Sequence, residues 1–245
     1  MAIIEKDNSL SYITQFSPMR CDGHFKKNIS LSDKFFKNNE LTWVSLGSAI
    51  DSIQNGMNVS TDYYSMEETD ILYISVSQIR EYGLIDKNQN FLIEDIRNTK
   101  SFFELEPNML LITRSGTIGT AISTNNQSFD FDINSYVASG FVITSKVNKN
   151  YSSDIIANYI NLFDVQNYLN AMASGACQKN ISQPTILSLP IPEVLLKEPE
   201  EFENIFNDYN LSIKSILDNI KKQERKMLEL KHDTINKIKE KIFSL

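Results

Sequence analysis

The last 45 residues carry an apolar pattern that restricts this part of the chain to one long helix. From Phe202 onward the core positions recur at alternating steps of three and four, which is the spacing of a coiled-coil seam. They are Phe206, Tyr209, Ile213, Ile216, Ile220, Gln223, Met227, Leu230 and Thr234. After Thr234 the stripe moves by one position to Ile235, Ile238 and Ile242, which is a local break in register. The polar members Gln223 and Thr234 are of the kind that fixes register or the orientation of a partner.

This helix is too long to be explained by the rest of the chain. A helix of some 40 residues measures on the order of 60 Å, which exceeds the width of a domain of about 200 residues. The alternative is a helix packed along its own globular domain. Because most of the stripe must meet something else, we predict an interface formed by its seam residues. They are Phe206, Tyr209, Ile213, Ile216, Ile220, Gln223, Met227 and Leu230.

The remaining residues predict an α+β body with many short strands. Residues 71–76, 109–113 and 138–147 have the β-branched and aromatic bias of strands, and Asn55-Gly56 marks a turn. Residues 155–172 have helical spacing, and Gly175 is a plausible C-terminal stop. Residues 1–40 are polar and mixed, and no regular element is predicted there. The domain prediction is an N-terminal segment (1–40) packed on the body through Phe35-Phe36, a globular domain (41–198) and a coiled-coil helix (199–245).

Composition narrows the class of protein. Forty-one per cent of the residues are hydrophobic, which is too many for a disordered chain. Apolar runs such as 109–112 are far too short to span a bilayer. Cys21 and Cys177 stand far apart without partners at metal-ligand spacing, and no secretory signal begins the sequence. These features predict a cytoplasmic protein with reduced thiols, without a membrane segment and without a metal site.

Net charge argues against nucleic acid as a partner. The chain has a formal charge of −7. Residues 201–245 hold nine basic and eight acidic side chains, so residues 1–200 hold 15 basic and 23 acidic ones. If the body binds DNA, it must do so through a local basic patch or with a partner that supplies phosphate contacts.

No motif predicts catalysis. The chain contains neither Asn-Pro-Pro-Tyr nor Asp-Pro-Pro-Tyr, the tetrapeptides that hold a flipped base for amino methylation. Gly116 and Gly119 enclose only two residues and do not form a phosphate-binding loop. The two histidines, His24 and His232, are too few for a metal cluster. We therefore predict no catalytic residues and no cofactor.

A series of short motifs follows one order from residue 43 to residue 192. They are Trp43-Val44-Ser45-Leu46-Gly47 with Gly56 nine residues on, Tyr73-Ile74-Ser75-Val76 through Ile79, the run from Leu105 to Gly119, Gln178-Lys179-Asn180-Ile181-Ser182, and Leu189-Pro190-Ile191-Pro192. With the helix that follows, they make the chain similar to the specificity (S) subunit of type I restriction-modification systems. Two places depart from that family: Pro107-Asn108 stands where Gly-Asp is frequent, and Ala176-Cys177 where glycine or threonine is frequent.

The resemblance implies a target recognition domain that binds one half of a bipartite site in double-stranded DNA, followed by a spacer helix. Complete members of the family carry two such domains and two helices, whereas this chain carries one of each. The resemblance therefore implies a homodimer through antiparallel C-terminal helices and an inverted-repeat target. It also implies a modification (methyltransferase) subunit docked on the helices and a restriction (translocase) subunit as a further partner. The alternative is a truncated remnant of a longer subunit.

Three polar segments are the candidate DNA contacts. They are Arg114, Ser115, Gly116 and Thr117; Gln178, Lys179 and Asn180; and Ser75, Ser77, Gln78 and Arg80. Arg114 can bind guanine or a phosphate bidentately, but an internal ion pair of Arg114 in a plain hairpin is an equal alternative. For Asn180 and Ser182 the alternative is capping of the local backbone.

Two other functions compete with DNA recognition. The first is a protein-interaction adaptor on the same scaffold, which the acidic body favours. The second is an enzyme such as a nuclease, but no convincing acidic-x-Lys pattern follows a Pro-Asp pair. DNA binding would weaken steeply with salt, whereas adaptor binding through an apolar seam would not.

Overall fold

The computed structural model describes residues 23–38, 40–84, 90–175 and 179–243. The chain divides into two compact units, Met1–Phe202 and Glu203–Leu245. The predicted α+β architecture, with many short strands and a long C-terminal helix, is confirmed. The helices are α1 (Gly23–Phe36), α2 (Ser153–Ile160), α3 (Phe163–Met172), α4 (Gln183–Leu187), α5 (Glu193–Lys197) and α6 (Glu200–Phe243).

Twelve described strands, most of them short, build the first unit. They are β1 (Trp43–Ser45), β2 (Ile50–Asn55), β3 (Tyr64–Ser65), β4 (Ile71–Ile74), β5 (Ile79–Arg80), β6 (Gly83–Leu84), β7 (Asn90–Leu92), β8 (Met109–Thr113), β9 (Ala121–Ser123), β10 (Ser135–Ala138), β11 (Val142–Val147) and β12 (Pro190–Pro192). Two four-stranded sheets have the orders β2-β11-β8-β9 and β10-β4-β7-β3. The first sheet is antiparallel, whereas β10 and β4 run parallel.

The β10–β4 pair is covered on both faces. Tyr136 and Ala138 of β10 belong to one apolar cluster, whereas Val137 between them belongs to another. Ile74 and Tyr73 of β4 divide in the same way. Because successive side chains of a strand point to opposite faces, this pair of strands separates two cores. That explains why both strands read as continuous apolar runs rather than as alternating ones.

Two of the sequence motifs that lie farthest apart meet in space. Strand β1 pairs antiparallel with β12, so that Val44 lies opposite Ile191. The Leu46 N–H donates to the Leu189 carbonyl at 2.8 Å. A Cβ at Gly47 would lie 3.1 Å from the Leu187 carbonyl oxygen, so glycine allows this close approach. The order of motifs in the sequence therefore corresponds to a closed domain in which the first and last motifs pair.

Helix α1 was not predicted, because the polar composition of its segment hides a narrow apolar contact. Phe36 is buried. The centroid of its ring lies 5.1 Å from that of Tyr168 in α3 and 5.4 Å from that of Trp43. Residues 1–22 of the predicted N-terminal segment lie outside the described residues, as do Cys21 and Cys177.

The predicted helix over 155–172 is two helices. Helix α2 ends at Ile160 and α3 begins at Phe163. Between them, the Asn161 side chain accepts from the Ala121 N–H at 2.9 Å and donates to the Ala121 carbonyl at 2.8 Å. This pairing with β9 provides a tertiary reason for the break. Helix α3 ends at Met172 with Ala173 as its C-cap, and not at Gly175.

The predicted strand over 138–147 is also divided. Strand β10 ends at Ala138 and β11 begins at Val142. The Val142 N–H donates to the Ser139 carbonyl at 2.8 Å, which closes a turn over Ser139-Gly140-Phe141. The Phe141 side chain, which lies within the predicted strand, is 55% exposed and belongs to this turn.

Helix α6 is a single helix of 44 residues, about 66 Å long. Its apolar residues are largely uncovered within one chain. Ile216 and Ile220 of the seam are 55% and 48% exposed, while Leu211 and Leu228, off the seam, are 64% and 62% exposed. Phe206 and Ile213 are half-buried. Whether the seam is an interface stays a prediction.

Candidate nucleic-acid interface

Several polar loops meet at one edge of the first unit. In the first sheet, β2 and β8 end there and β11 begins there, since Val142 lies opposite Thr113 and Ile143 lies opposite Asn55. Strands β4 and β10 end at the same place, because the Ser139 N–H donates to the Ile74 carbonyl and Ser139 forms a bridge with Met57. We call this face the loop edge; its described segments are 54–58, 75–78, 114–118, 139–141 and 179–183.

Two of the three predicted contact segments are joined by main-chain hydrogen bonds. Ser115 forms a bridge with Asn180, and the Ile181 N–H donates to the Arg114 carbonyl at 2.9 Å. The main chains of Asn180 and Ser174 also exchange two hydrogen bonds. The Asn180 N–H donates to the Ser174 carbonyl at 2.7 Å, and the Ser174 N–H donates to the Asn180 carbonyl at 2.9 Å. Residues separated by about 65 positions in sequence are thus hydrogen-bonded to each other. Gln178, which was predicted to belong here, lies outside the described residues.

The third predicted segment adjoins the first. A Cβ built on Gly116 would lie 3.6 Å from Cγ1 of Val76. Gln78 is buried, and its side-chain oxygen accepts from the Ser75 N–H at 2.9 Å and from the Ser75 hydroxyl at 3.1 Å. Gln78 therefore holds the turn in shape, whereas Ser77 is exposed at its tip. Arg80 lies further along, on β5, where its guanidinium donates to the Ile79 carbonyl.

The loop after β8 is held by its own backbone. The Gly119 N–H donates to the Thr113 carbonyl at 2.8 Å, and the Thr113 hydroxyl donates to the Thr117 carbonyl. Gly116 and Gly119 have φ angles of 80° and 82°, a region that costs other residues about 1–2 kcal/mol. Gly116 and Thr117 are exposed at the tip of the loop, whereas Ser115 is buried by its bridge.

Arg114 is half-buried at the base of this loop, and its main chain links three loops. Its N–H donates to the Phe141 carbonyl at 3.0 Å, and its own carbonyl accepts from Ile181. Its Nε is buried and has no hydrogen-bond partner among the described residues. Within the same residues, no carboxylate forms an ion pair with Arg114, so the alternative of an internal ion pair has no support there.

Ser182 confirms the alternative of local capping. Its hydroxyl accepts from the Thr185 N–H at 3.2 Å, as the N-cap of α4. Asn180 is likewise engaged, through the bridges of its main chain. Lys179 is half-buried beside it.

The loop edge contains no acidic residue. None of its five segments includes an aspartate or a glutamate, and they contain the cations Arg114 and Lys179. Three acidic residues lie instead at the other ends of the same strands. There Asp51 is the second residue of β2, Asp70 precedes β4 and Glu106 lies three residues before β8. The local charge therefore differs in sign from the net charge of the body.

At the opposite edge, where the other ends of these strands lie, a carboxylate binds the side chain of Lys146. The Lys146 ammonium donates to Glu106 at 2.6 Å. This hydrogen bond and the charge of Glu106 raise the pKa of Lys146 above its ordinary value. Asn148 donates to Asp51 at 2.9 Å nearby. An anionic ligand would meet carboxylates at this edge, partly paired with Lys146 and Arg97, and none in the segments of the loop edge.

Sequence reasoning missed several residues of the loop edge. Asn55, Asn58 and Phe141 are exposed there, and Gln183 donates to Asn55 at 3.2 Å. The Asn55-Gly56 turn was recognised in the sequence, but nothing local indicated that it faces residue 183. Phe141 was missed because it was assigned to the interior of a strand.

Neither a metal-ligand cluster nor a membrane-spanning helix occurs in the described part of the chain. No group of three or more metal-ligating side chains occurs among those residues. None of their helices is long and apolar enough to cross a membrane.

No family model matches the sequence, and no curated protein sequence matches it either. Solved structures do match. A chain of a type I restriction-modification (R-M) system, solved in a study of complex assembly and conformational transition, has a TM-score of 0.52 at 12% identity, over 83% of this chain and 48% of that chain.

Two further structures are less similar. The S subunit of a type I restriction-modification system from M. genitalium has a TM-score of 0.47 at 15% identity, over 71% of this chain and 40% of that chain. The HsdS subunit from Thermoanaerobacter tengcongensis has a TM-score of 0.49 at 12% identity, over 86% and 48% of the two chains. This chain thus spans about half the length of the solved chains it matches. The predicted resemblance is confirmed at the level of the fold, which is similar to that of a chain of a type I restriction-modification system.

Proposed function

We propose that this chain is a non-catalytic specificity component of a restriction-modification system, and that its loop edge binds half of a bipartite site in double-stranded DNA. The observation that carries the proposal is the convergence of three predicted contact segments on one face without carboxylates. The shared fold supports it, because the chain resembles S subunits in architecture although it spans about half their length.

The absence of carboxylates favours the loop edge over the opposite edge of the same strands. A DNA duplex carries one negative charge for about every 1.7 Å of its axis, so an acidic surface repels it. The carboxylates at Asp51, Asp70 and Glu106 lie at the far ends of the strands. An acidic body can therefore bind DNA if it approaches with the loop edge, and its other faces then disfavour non-specific binding.

The second part of the proposal is assembly through α6. Two copies would pair their seams in antiparallel orientation, and two-fold symmetry would then present two identical loop edges to an inverted repeat. A modification subunit would dock on the paired helices and supply the methyltransferase chemistry, and a restriction subunit would join the same complex. The exposed apolar side chains of α6 support an interface of this kind.

Arg114→Ala should weaken binding of a cognate duplex by about tenfold to hundredfold, because a charge-assisted hydrogen bond contributes about 1.5–3 kcal/mol. The duplex would be enriched from a random library with the full-length chain and the modification subunit. Binding would be measured by fluorescence anisotropy at several salt concentrations. If Arg114 contacts a phosphate, the variant should also lower the salt slope by about one unit. If it contacts guanine, specificity should relax at one base pair.

Lys149→Ala is the matched control, because it removes one exposed cation that follows β11 at the opposite edge. It should leave affinity close to that of the unmodified chain. Equal losses in the two variants would show that only overall charge matters and would remove Arg114 from the interface. Enrichment of no duplex, with salt-independent binding to a protein partner, would favour the adaptor function instead.

A further inference from the structure

Phe141 is an exposed aromatic side chain on the loop edge. Its side chain is 55% exposed, and its carbonyl accepts the hydrogen bond from Arg114 that joins two of the loops. Single exposed apolar residues are common on proteins and need no explanation by themselves. The question is therefore whether the molecule holds this ring in a defined place.

The main chain on both sides of Phe141 is fixed. The Phe141 N–H donates to the Ser139 hydroxyl at 3.2 Å, and its carbonyl accepts from Arg114 at 3.0 Å. On one side the Gly140 N–H donates to the Met57 carbonyl at 2.9 Å, and on the other Val142 is the first residue of the buried strand β11. The turn that carries the ring is thus hydrogen-bonded to the segments that follow β2 and β8.

The side chain of Asn58 also packs against this turn. A Cβ at Gly140 would lie 2.3 Å from the side-chain oxygen of Asn58, so the Asn58 side chain packs closely against the turn. Asn58 is itself exposed and stands beside the turn. A ring carried by so constrained a backbone loses little conformational freedom when it meets a ligand.

We propose that the Phe141 ring inserts at a base step of the bound duplex and partly unstacks it, which makes Phe141 a specificity-determining residue through the deformability of that step. This inference rests on the proposed function of the loop edge. Proteins that insert apolar side chains between bases use phenylalanine, leucine, isoleucine or methionine for the purpose. Pyrimidine–purine steps unstack most easily, so the step at Phe141 should be of that type. Specificity would then arise at a position where no hydrogen bond reads the base.

The test uses 2-aminopurine, an adenine analogue whose fluorescence rises when it is unstacked. Duplexes enriched from a random library by the full-length chain with its modification subunit would carry the analogue at one adenine position at a time. With the unmodified chain, fluorescence should rise at one step in each half-site apart from the adenine that the modification subunit flips for methylation. Phe141→Ala should abolish that rise and lower affinity on the order of tenfold, the loss expected for one base–aromatic contact. Phe141→Leu should keep most of both signals, since leucine can also act as a wedge.

Ile133→Ala is the matched control. Ile133 is 69% exposed and precedes β10, whereas Phe141 follows that strand at its other end. It should change neither the fluorescence nor the affinity. A Phe141→Ala variant that keeps the fluorescence rise and the affinity would overturn the wedge while leaving DNA recognition intact. If the unmodified chain enriches no duplex, the proposed function fails and the wedge fails with it.

Discussion

The double variant Ile216→Asp/Ile220→Asp should be monomeric at concentrations at which the unmodified chain is a dimer or a complex with its modification subunit. Both side chains lie on the predicted seam and are half exposed in the single chain. Burying such a side chain contributes about 1.5–3 kcal/mol, and a symmetric dimer contains each residue twice. The loss should exceed about a thousandfold in the dissociation constant, before the cost of burying four carboxylates is added. Analytical ultracentrifugation would measure the solution mass.

A control variant makes the same kind of apolar-to-aspartate change elsewhere on α6. Leu211 and Leu228 are exposed on α6 to 64% and 62% but lie off the seam, so Leu211→Asp/Leu228→Asp makes the same change on the outer face. This variant should assemble normally. If it also becomes monomeric, the assigned register of the seam is wrong. If Ile216→Asp/Ile220→Asp keeps its mass, the helix does not assemble through this stripe.

Gly56→Ala should strongly destabilise the first unit. The new Cβ would lie 2.2 Å from the Ala138 carbonyl oxygen and 2.4 Å from that of Ser139, and both obstacles are backbone that cannot rotate away. The Gly56 N–H also donates to the Val142 carbonyl at 2.8 Å, so separating the segments breaks the bonds that join β2 to β11. Overpacking costs typically 1–3 kcal/mol, and this site should reach the upper end, about 3 kcal/mol. Native stability is only about 5–15 kcal/mol.

Urea denaturation followed by tryptophan fluorescence would measure the loss for this unit specifically. Trp43 is the single tryptophan of the chain, and it packs against Phe35 and Phe36 of α1. Gly116→Ala serves as the comparison, because its Cβ would meet only Val76 at 3.6 Å while its φ of 80° remains unfavourable. It should lose about 1–2 kcal/mol. A Gly56→Ala midpoint at or above that of Gly116→Ala would contradict the predicted clash.

The strengths and failures of the sequence predictions have local physical causes. Strand β8 was predicted with its observed bounds, 109–113, because all five of its residues are buried and apolarity marks such a strand. The division at Asn161 was missed, since the bonds that compete with the helix come from Ala121, 40 residues away. The turn at residues 139–141 was missed because Val142 and Phe141 look alike in a strand pattern although only one is buried.

What the sequence determined by itself was the long amphipathic helix, the α+β class and the polar segments that could contact DNA. These depend on periodicity and composition within short windows, which local physics controls. The tertiary structure alone decided that Arg114, Asn180 and Val76 share one edge, and that three carboxylates lie at the other ends of the same strands. The net charge of the body could not show this, because the two edges are separated only by strand direction and pairing, which bring together residues far apart in the chain.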